Sequence, residues 1–317
     1  MKNILITGGA GFIGSHLVRT VLGPDRPLGA ANVTVLDSLT YAGSLDNLDA
    51  VRHHPGFRFV QGHITDAPTV DRLMAEHDAV VHLAAESHVD RSIADAHAFV
   101  HTNVLGTQTL LDAALRHGTK PFVHVSTDEV YGSVPFGSAT EQDPLMPSSA
   151  YSASKASSDL LALACHRTHG LDVRVTRCSN NYGPHQFPEK LIPLFVTRLL
   201  HGENVPLYGD GENVRDWLHV DDHCRGLLAV LTRGRPGEIY NIGGGTELTN
   251  KELTSALLAA CGAGWDRVDW VADRKGHDLR YSVDWSKIRR ELGYEPRRDF
   301  MTGLAESVDW YRKRYVP

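Results

Sequence analysis

The chain has 317 residues, of which 42% are hydrophobic, so it can bury a large core without disulfides or a structural metal. Its formal net charge of -6 arises from interspersed acids and bases, which argues against nucleic acid or a membrane as a partner. The four cysteines lack paired spacing and no run of about 18 apolar residues occurs, so we expect reduced thiols, no metal ion and a cytoplasmic protein.

The first half of the sequence alternates short β-branched runs with longer helical patterns, which is typical of repeated β-α-β units. The apolar runs are continuous, as expected for strands that are buried on both faces of a parallel sheet. We therefore predict an α/β fold with a doubly wound parallel sheet of the Rossmann type. The predicted strands cover residues 3–6, 33–36, 58–60, 79–83, 122–126 and 173–176, and the predicted helices cover 14–22, 102–116 and 151–169.

The pattern changes after about residue 178, where glycine, proline and asparagine become frequent and short irregular strands alternate with helices. We predict a dinucleotide-binding Rossmann domain over residues 1–178 and a smaller α/β substrate lobe over most of residues 179–317. Segments near residues 215–242 are alternatively part of the first domain, so the sequence does not fix the domain boundary.

Three glycines, Gly8, Gly11 and Gly14, directly follow the first predicted strand and open the first predicted helix. Glycines at this spacing let the backbone turn tightly and approach a pyrophosphate, whose charge the helix N-terminus stabilises. Asp37 ends the second predicted strand, where a carboxylate accepts hydrogen bonds from a ribose and repels a 2′-phosphate. The pattern predicts an NAD site, with residues 83–85 either passing close to the cofactor or packing in the core.

Two neighbouring carboxyl groups, Asp128 and Glu129, follow Thr127 at the end of the strand predicted over 122–126. In a doubly wound fold this position lies at the carboxyl edge of the sheet, where ligands bind. Adjacent carboxyl groups permit acid and base chemistry that hydride transfer alone does not need. The alternative is a solvated acidic turn.

A phenol and an ammonium group, Tyr151 and Lys155, lie four residues apart and therefore on one face of a predicted helix. A free phenol has a pKa of about 10, but a nearby ammonium and an oxidised nicotinamide both favour the phenolate. Tyr151 can then take a proton from an alcohol while hydride leaves for NAD. Alone, such a Tyr/Lys pair is also common on solvated helices. Together with the glycine loop and Asp37, it favours a catalytic role.

The segment 125–132, which contains S-T-D-E-V-Y-G, resembles the dTDP-glucose 4,6-dehydratases, a branch of the extended short-chain dehydrogenase family. Similarity to these enzymes extends over essentially the whole chain, with further matching segments at 84–92, 177–184 and 215–222. Relatives that only oxidise and reduce, such as 4-epimerases, typically have small or uncharged residues at positions 128 and 129. The resemblance therefore implies a dehydratase that converts dTDP-glucose to dTDP-4-keto-6-deoxyglucose.

The resemblance also implies one redox cycle that starts and ends with bound NAD. Tyr151 deprotonates the hydroxyl on carbon 4 of glucose, and Thr127 and Lys155 position and polarise that oxygen. Glu129 then removes the proton on carbon 5 while Asp128, held protonated, delivers a proton to the hydroxyl that leaves carbon 6. This mechanism requires that burial or the adjacent carboxylate raise the pKa of Asp128.

The full set of site residues adds what the resemblance implies to the residues argued above, and the pyrophosphate of a sugar nucleotide also needs cations and donors from the second lobe. Cofactor contacts are expected at Gly8, Gly11, Phe12, Ile13, Gly14, Asp37, Ser38, Leu39, Thr40, His63, Ile64, Leu83, Ala84, Ala85, Ser87, Thr102, Tyr151, Lys155 and Asn181. Substrate contacts are expected at Ser87, Thr127, Asn180, Lys190, Leu191, Pro206, Tyr208, Arg215, Asn250, Arg274, His277 and Tyr281.

One position departs from the family pattern, because His63 stands where these enzymes usually have Asp, at a place expected to contact the adenine. Family members usually form homodimers through long helices, and the predicted helices 102–116 and 151–169 carry enough Ala and Leu for this, although internal packing explains the same composition. The alternatives for function are an NAD-dependent nucleotide-sugar 4-epimerase, a decarboxylase or a non-catalytic NAD-sensing regulator.

Overall fold

A central parallel sheet organises the computed structural model, which describes residues 1–315. Across that range seven strands form one sheet in the order β10-β6-β5-β4-β1-β2-β3. The chain crosses over after β3 and returns to the other side of β1, which is the doubly wound arrangement predicted from the sequence. These strands are β1 Asn3–Thr7, β2 Asn32–Asp37, β3 Phe57–Gln61, β4 Ala79–His82, β5 Phe122–Thr127, β6 Val173–Cys178 and β10 Ile239–Ile242.

Helices cover both faces of this sheet because side chains alternate along each buried strand. On β1, Ile4 and Ile6 join a core with helices α1 and α8, whereas Leu5 joins a second core with α2, α5 and α6. The helices of the chain are α1 Phe12–Leu22, α2 Ala67–Glu76, α3 Val89–Ala94, α4 Ala96–Phe99, α5 Gly106–His117, α6 Ala150–His169, α7 Leu191–Leu200, α8 Val220–Arg233, α9 Asn250–Cys261, α10 Ser286–Leu292 and α11 Phe300–Tyr315.

A separate apolar core lies beneath the C-terminal part of the chain and packs α7, α9 and α11 together. Two small sheets belong to this lobe, one in the order β11-β9-β7 and one pairing β12 with β8 in parallel. Their strands are β7 Asn180–Tyr182, β8 Val205–Tyr208, β9 Val214–His219, β11 Glu247–Thr249 and β12 Val268–Val271. The lobe faces the carboxyl ends of the large sheet, which leaves a cleft between them.

The six predicted strands coincide with β1 to β6, and the doubly wound fold is confirmed. The predicted helix 102–116 differs at its start, because Val100–Leu105 forms a wider π-helical turn that leads into α5. In this turn the buried Asn103 amide bonds to the Glu86 backbone and to the Ser154 hydroxyl. Among residues 1–315 no helix has both the length and the apolar character that crossing a membrane requires.

Candidate active site

A large cleft lies where the carboxyl ends of β1, β2, β4, β5 and β6 face the lobe. Every residue predicted to contact cofactor or substrate lines this cleft, with the exception of Leu39. The Leu39 backbone N–H donates to Asp37 Oδ1 at 2.8 Å, and its side chain packs against the core. The structure thus brings the predicted site together, and the contact of Leu39 with the cofactor stays a prediction.

The loop between β1 and α1 has the form that a pyrophosphate requires. Gly8 has a φ of +71°, and a Cβ there would lie 2.6 Å from the Ala84 backbone nitrogen. A Cβ on Gly14 would collide with the Gly8 carbonyl oxygen. Gly11 precedes the first turn of α1 and supplies no side-chain cap, so within residues 1–315 the N–H groups of that turn, whose residues line the cleft, have no side-chain acceptor from the N-cap.

At the end of β2 the Asp37 carboxylate is held by two backbone amides. Ala10 donates to Oδ2 at 2.9 Å and Leu39 donates to Oδ1 at 2.8 Å. Burial raises the pKa of Asp37, and these two hydrogen bonds oppose that rise. Each carboxylate oxygen keeps a second lone pair, so Asp37 can still accept from the hydroxyl groups of a ribose. The glycine loop and Asp37 therefore fit a dinucleotide without a 2′-phosphate.

His63 also lines the cleft, close to β3. Its Nδ1 lies 2.8 Å from Thr65 Oγ1, and its ring centroid lies 5.5 Å from that of His101. Burial lowers the pKa of His63, and the neighbouring His101 lowers it further. The ring is therefore neutral near pH 7 and cannot replace the charge of the aspartate that is usual in the family.

Helix α6 places Tyr151 and Lys155 in the cleft. A capping box between Ser149 and Ser152 fixes where this helix begins, so Tyr151 lies in its first turn. The Lys155 ammonium donates to the Val125 carbonyl at 2.8 Å, which anchors the helix to β5. Burial lowers the pKa of Lys155 to about 8.

The phenol of Tyr151 is more difficult to ionise than the sequence suggested. Burial raises its pKa well above the ordinary value, the Glu129 carboxylate adds to this shift, and the Thr127 hydroxyl opposes it. Burial and the Glu129 charge therefore favour the protonated phenol, and the expectation that the ammonium and an oxidised nicotinamide favour the phenolate stays a prediction.

The two adjacent carboxyl groups lie on a short 3-10 helix, Asp128–Tyr131, that follows β5 directly. Burial raises the pKa of Asp128 well above its ordinary value, and the Glu129 carboxylate raises it further. Burial also raises the pKa of Glu129, but Lys190, Arg274 and Arg215 oppose the rise. The requirement that the pKa of Asp128 be raised is met, and Asp128 is buried while Glu129 is partly buried, which argues against a solvated acidic turn.

The lobe supplies cations on the far side of the cleft. Lys190 Nζ donates to the Ser87 carbonyl at 2.6 Å, which links the lobe to the loop after β4. The Arg215 guanidinium lies 4.2 Å from the Tyr281 ring centroid and donates to the Asp278 carbonyl. Arg274 lines the same wall, and its buried Nε has no hydrogen-bond partner within the part of the chain described. Fork-shaped donors of this kind suit a diphosphate.

Sequence reasoning missed a polar cluster at the cleft, in which His88 and Glu189 line the cleft and Arg91 and Tyr41 lie beside them. The Arg91 guanidinium stacks 3.6 Å from the Tyr41 ring centroid and lies 3.6 Å from the Glu189 carboxylate. His88 Nε2 lies 3.7 Å from the same carboxylate. Glu189 precedes Lys190, so its position was a usable signal, whereas the approach of Tyr41 and Arg91 depends on tertiary folding.

The comparisons with known proteins agree with this geometry. The sequence model of the family described as GDP-mannose 4,6 dehydratase matches residues 5–307. A dTDP-glucose 4,6-dehydratase of Streptomyces antibioticus is 68% identical over 314 residues, covering 98% of this chain and 92% of that protein. DesIV, a dTDP-glucose 4,6-dehydratase from Streptomyces venezuelae solved with NAD bound, has a TM-score of 0.97 and 63% identity, covering 98% of this chain and 97% of that chain.

A further solved structure, a UDP-glucose 4-epimerase from Thermotoga maritima, has a TM-score of 0.90 at 33% identity, covering 98% of this chain and 99% of that chain. The fold and the cleft define an NAD-dependent enzyme of the extended short-chain dehydrogenase class. The chain belongs to the nucleotide-sugar 4,6-dehydratase family, among the dTDP-glucose 4,6-dehydratases.

Proposed function

We propose that this chain converts dTDP-glucose to dTDP-4-keto-6-deoxyglucose and water. One observation carries the proposal, namely that the buried Asp128 and the partly buried Glu129 line the same cleft as Tyr151 and Lys155. Hydride shuttling in an epimerase needs the second pair alone. The first pair adds an acid and a base, which are the groups that loss of water requires.

Oxidation at carbon 4 begins with the phenol of Tyr151. When bound, NAD supplies the chemistry of hydride acceptance from carbon 4 and hydride return to carbon 6, and its positive charge favours the phenolate. Tyr151 takes the proton of the hydroxyl on carbon 4, and the Thr127 hydroxyl is placed to contact the same oxygen. Lys155 fixes the position of the phenol by anchoring α6 to the Val125 carbonyl.

Elimination follows because the new ketone acidifies the proton on carbon 5. Glu129 takes this proton, and Asp128 gives its own to the hydroxyl that leaves carbon 6 as water. Glu129 later returns the proton to carbon 5, and the proton held by Tyr151 replaces the one that Asp128 gave. The pKa of Asp128 is raised well above its ordinary value, which suits a general acid. The cations around Glu129 oppose the rise of its pKa, which suits a general base.

The lobe binds the nucleotide diphosphate in this proposal. Arg215, Arg274 and Lys190 provide the positive charge, and Asn180, Asn250 and His277 add polar groups to the same wall. Apolar and aromatic groups at Leu191, Pro206 and Tyr208 form a surface for the base. Ser87 lines the cleft and accepts from Lys190 of the lobe through its carbonyl, and the proposal places the hexose beside it.

Incubation with dTDP-glucose in deuterated water tests the reaction type. Dehydration requires that the product carry deuterium at carbon 5, because the proton taken there exchanges before it is returned. A 4-epimerase or a regulator leaves carbon 5 unlabelled. Unlabelled carbon 5 in a converted sugar would contradict the proposal.

The proposal includes a homodimer formed by α5 and α6. The apolar side chains of Val100, Leu105 and Leu160 are each at least half exposed in the single chain, and they lie in or beside these helices. A partner copy would cover them. Light scattering should give the mass of two chains, and Leu160→Lys should reduce it to one.

A cytoplasmic location is also part of the proposal. The four cysteines, all within the described residues, are free, and three of them are buried. Free thiols suit a reducing compartment. Fractionation of the source cells should recover the protein with cytoplasmic markers.

A further inference from the structure

A chain of buried polar groups connects α6 with the 3-10 helix that carries Asp128 and Glu129. Asp159 lies one helical turn after Lys155, and its side chain is fully buried. Arg177 Nε donates to Asp159 Oδ2 at 2.9 Å, and only 2% of the arginine side chain is exposed. Asp159 Oδ1 lies 3.2 Å from His124 Nε2.

The other end of Arg177 reaches the last residue of the 3-10 helix. Arg177 Nη1 donates to the Tyr131 hydroxyl at 2.9 Å, and the guanidinium lies 4.8 Å from the centre of that ring. The Tyr131 hydroxyl donates in turn to Asn241 Oδ1 at 2.8 Å, in β10. Burial raises the pKa of Tyr131 to about 12, so this phenol remains a donor.

The charges around Asp159 show that the Asp159–Arg177 pair is ionised. Burial alone would raise the pKa of Asp159, but the contacts with His124 and Arg177 outweigh it and hold the pKa below its ordinary value. The pair is therefore ionised in a fully buried place. A buried ion pair gains little net stability over apolar packing, but its directional hydrogen bonds fix the relative position of the elements that it joins.

The two ends of this hydrogen-bonded network, Asp159 and Tyr131, lie on the two elements that carry the proposed catalytic residues. Asp159 shares α6 with Tyr151 and Lys155, whereas Tyr131 shares the 3-10 helix with Asp128 and Glu129. Asp159, Arg177 and Tyr131 do not line the cleft, so they reach neither cofactor nor substrate. Asp159 also raises the pKa of Lys155 by its charge, so the effect of position is tested most cleanly at Tyr131, at the other end of the network.

We propose that Asp159, Arg177 and Tyr131 are positioning residues. They hold Asp128 and Glu129, the acid and base of elimination, at a fixed position relative to the Tyr151–Lys155 pair. This inference rests on the proposed dehydratase reaction. Oxidation needs groups on α6 and β5, which the Lys155 contact with Val125 holds independently. Elimination additionally needs the 3-10 helix in place, so loosening the link should slow elimination selectively.

Tyr131→Phe in the full chain with NAD tests this inference, because it keeps the ring but removes the hydroxyl that joins Arg177 and Asn241. Rapid mixing with dTDP-glucose follows NADH by absorbance, and chemical quenching follows the 4-keto-6-deoxy product. We expect NADH to form at the wild-type rate and product formation to slow about tenfold, since small misplacements of catalytic groups are costly. Enzyme-bound NADH then accumulates during turnover.

Tyr240→Phe is the matched control, because Tyr240 is also fully buried and its hydroxyl bonds to Arg235 and Glu291 on the outer side of the molecule. We expect it to lower thermal stability without separating the two rates. If Tyr131→Phe does not fold, Asn241→Ala removes the acceptor of the Tyr131 hydroxyl and should separate the rates in the same direction.

Two different failures can be told apart. A wild-type enzyme that forms no dehydrated product refutes the proposed function itself. A wild-type enzyme that dehydrates, with a folded variant that slows both steps equally or changes neither, overturns the positioning role alone.

Discussion

At the residue scale, burial and local charge give two adjacent carboxyl groups different pKa shifts. Asp128 and Glu129 are neighbours in the chain, yet three cations of the lobe oppose the rise in the pKa of Glu129, whereas the Glu129 and Asp216 carboxylates raise the pKa of Asp128 and Arg215 opposes them. The pKa of Asp128 therefore rises further than that of Glu129. A proton donor and a proton acceptor can then coexist at one pH, which is the condition for concerted acid and base action.

Glu129→Gln removes the base while it preserves the size of the side chain. We expect turnover to fall at least about a hundredfold, because a positioned general base contributes that much or more. Oxidation at carbon 4 continues, so NADH appears on the enzyme while product does not. Absorbance spectroscopy with quenched-product analysis measures both. The control is Glu203→Gln on an exposed side chain, and equal losses in the two variants would refute the assignment.

Lys155 gives a prediction for the pH dependence of stability. Burial lowers its pKa from 10.5 to about 8, and Asp159 opposes this shift. Between these values the unfolded chain keeps a proton that the folded chain has released, so the free energy of unfolding rises with pH. Below them both states hold the proton, and the buried ammonium costs stability. Urea unfolding should therefore show wild type gaining stability relative to Lys155→Met as the pH rises through this window. A constant difference would contradict the shift.

At the element scale, the proposed catalytic side chains lie at the start of a helix and at the end of a strand. The capping box at Ser149 and Ser152 fixes the first turn of α6, and Tyr151 lies within that turn. The end of β5 similarly delivers Thr127 and the two carboxyl groups at the edge of the sheet. Local sequence signals therefore determine where the reacting groups emerge.

Ser149→Ala should lower the free energy of unfolding by about 1 kcal/mol, because it removes an N-cap side chain. It should also lower turnover, because the fraying turn contains Tyr151. Asp299→Ala is the control, because its carboxylate accepts from the Thr302 backbone N–H at the start of α11, a helix that does not line the cleft. Chemical denaturation and steady-state kinetics of both variants should show similar losses of stability and a turnover defect in Ser149→Ala alone. Equal turnover in the two variants would contradict this account of α6.

The same scale shows what the sequence could and could not predict. Strands β1 to β6 and the start of α6 carry continuous apolar runs or cap residues, which are local signals. The π-helical turn Val100–Leu105 contains Asn103, which bonds to Glu86 and Ser154, and no local sequence pattern encodes these contacts. The high pKa of Tyr151 likewise arises from burial beside Glu129, which requires the tertiary structure.

Two parts of the chain form one cleft at the scale of the whole molecule. We propose that residues 1–178 form the dinucleotide-binding domain and that the rest of residues 179–317 mainly bind the nucleotide sugar. Helix α8 packs in the core of the large sheet and β10 pairs with β6, which supports the return of segments near 215–242 to the first domain.

This division predicts separable binding defects. Arg274→Gln removes a cation from the lobe wall but leaves the glycine loop and Asp37 intact. We expect KM for dTDP-glucose to rise roughly tenfold with a smaller change in kcat, because uniform binding of the diphosphate is lost. Affinity for NAD, measured by fluorescence titration, should stay at the wild-type value. Arg289→Gln, on an exposed side chain, is the control. A fall in NAD affinity with unchanged KM would contradict the division.

The central claim is that the enzyme removes water from the sugar while the cofactor is returned to its starting state. Mass spectrometry of the product formed from dTDP-glucose, together with absorbance of the same reaction mixture, tests it most directly. The account predicts a product lighter by one water and no net formation of NADH at complete conversion. A product with the mass of the substrate, or NADH formed in proportion to product, would contradict it.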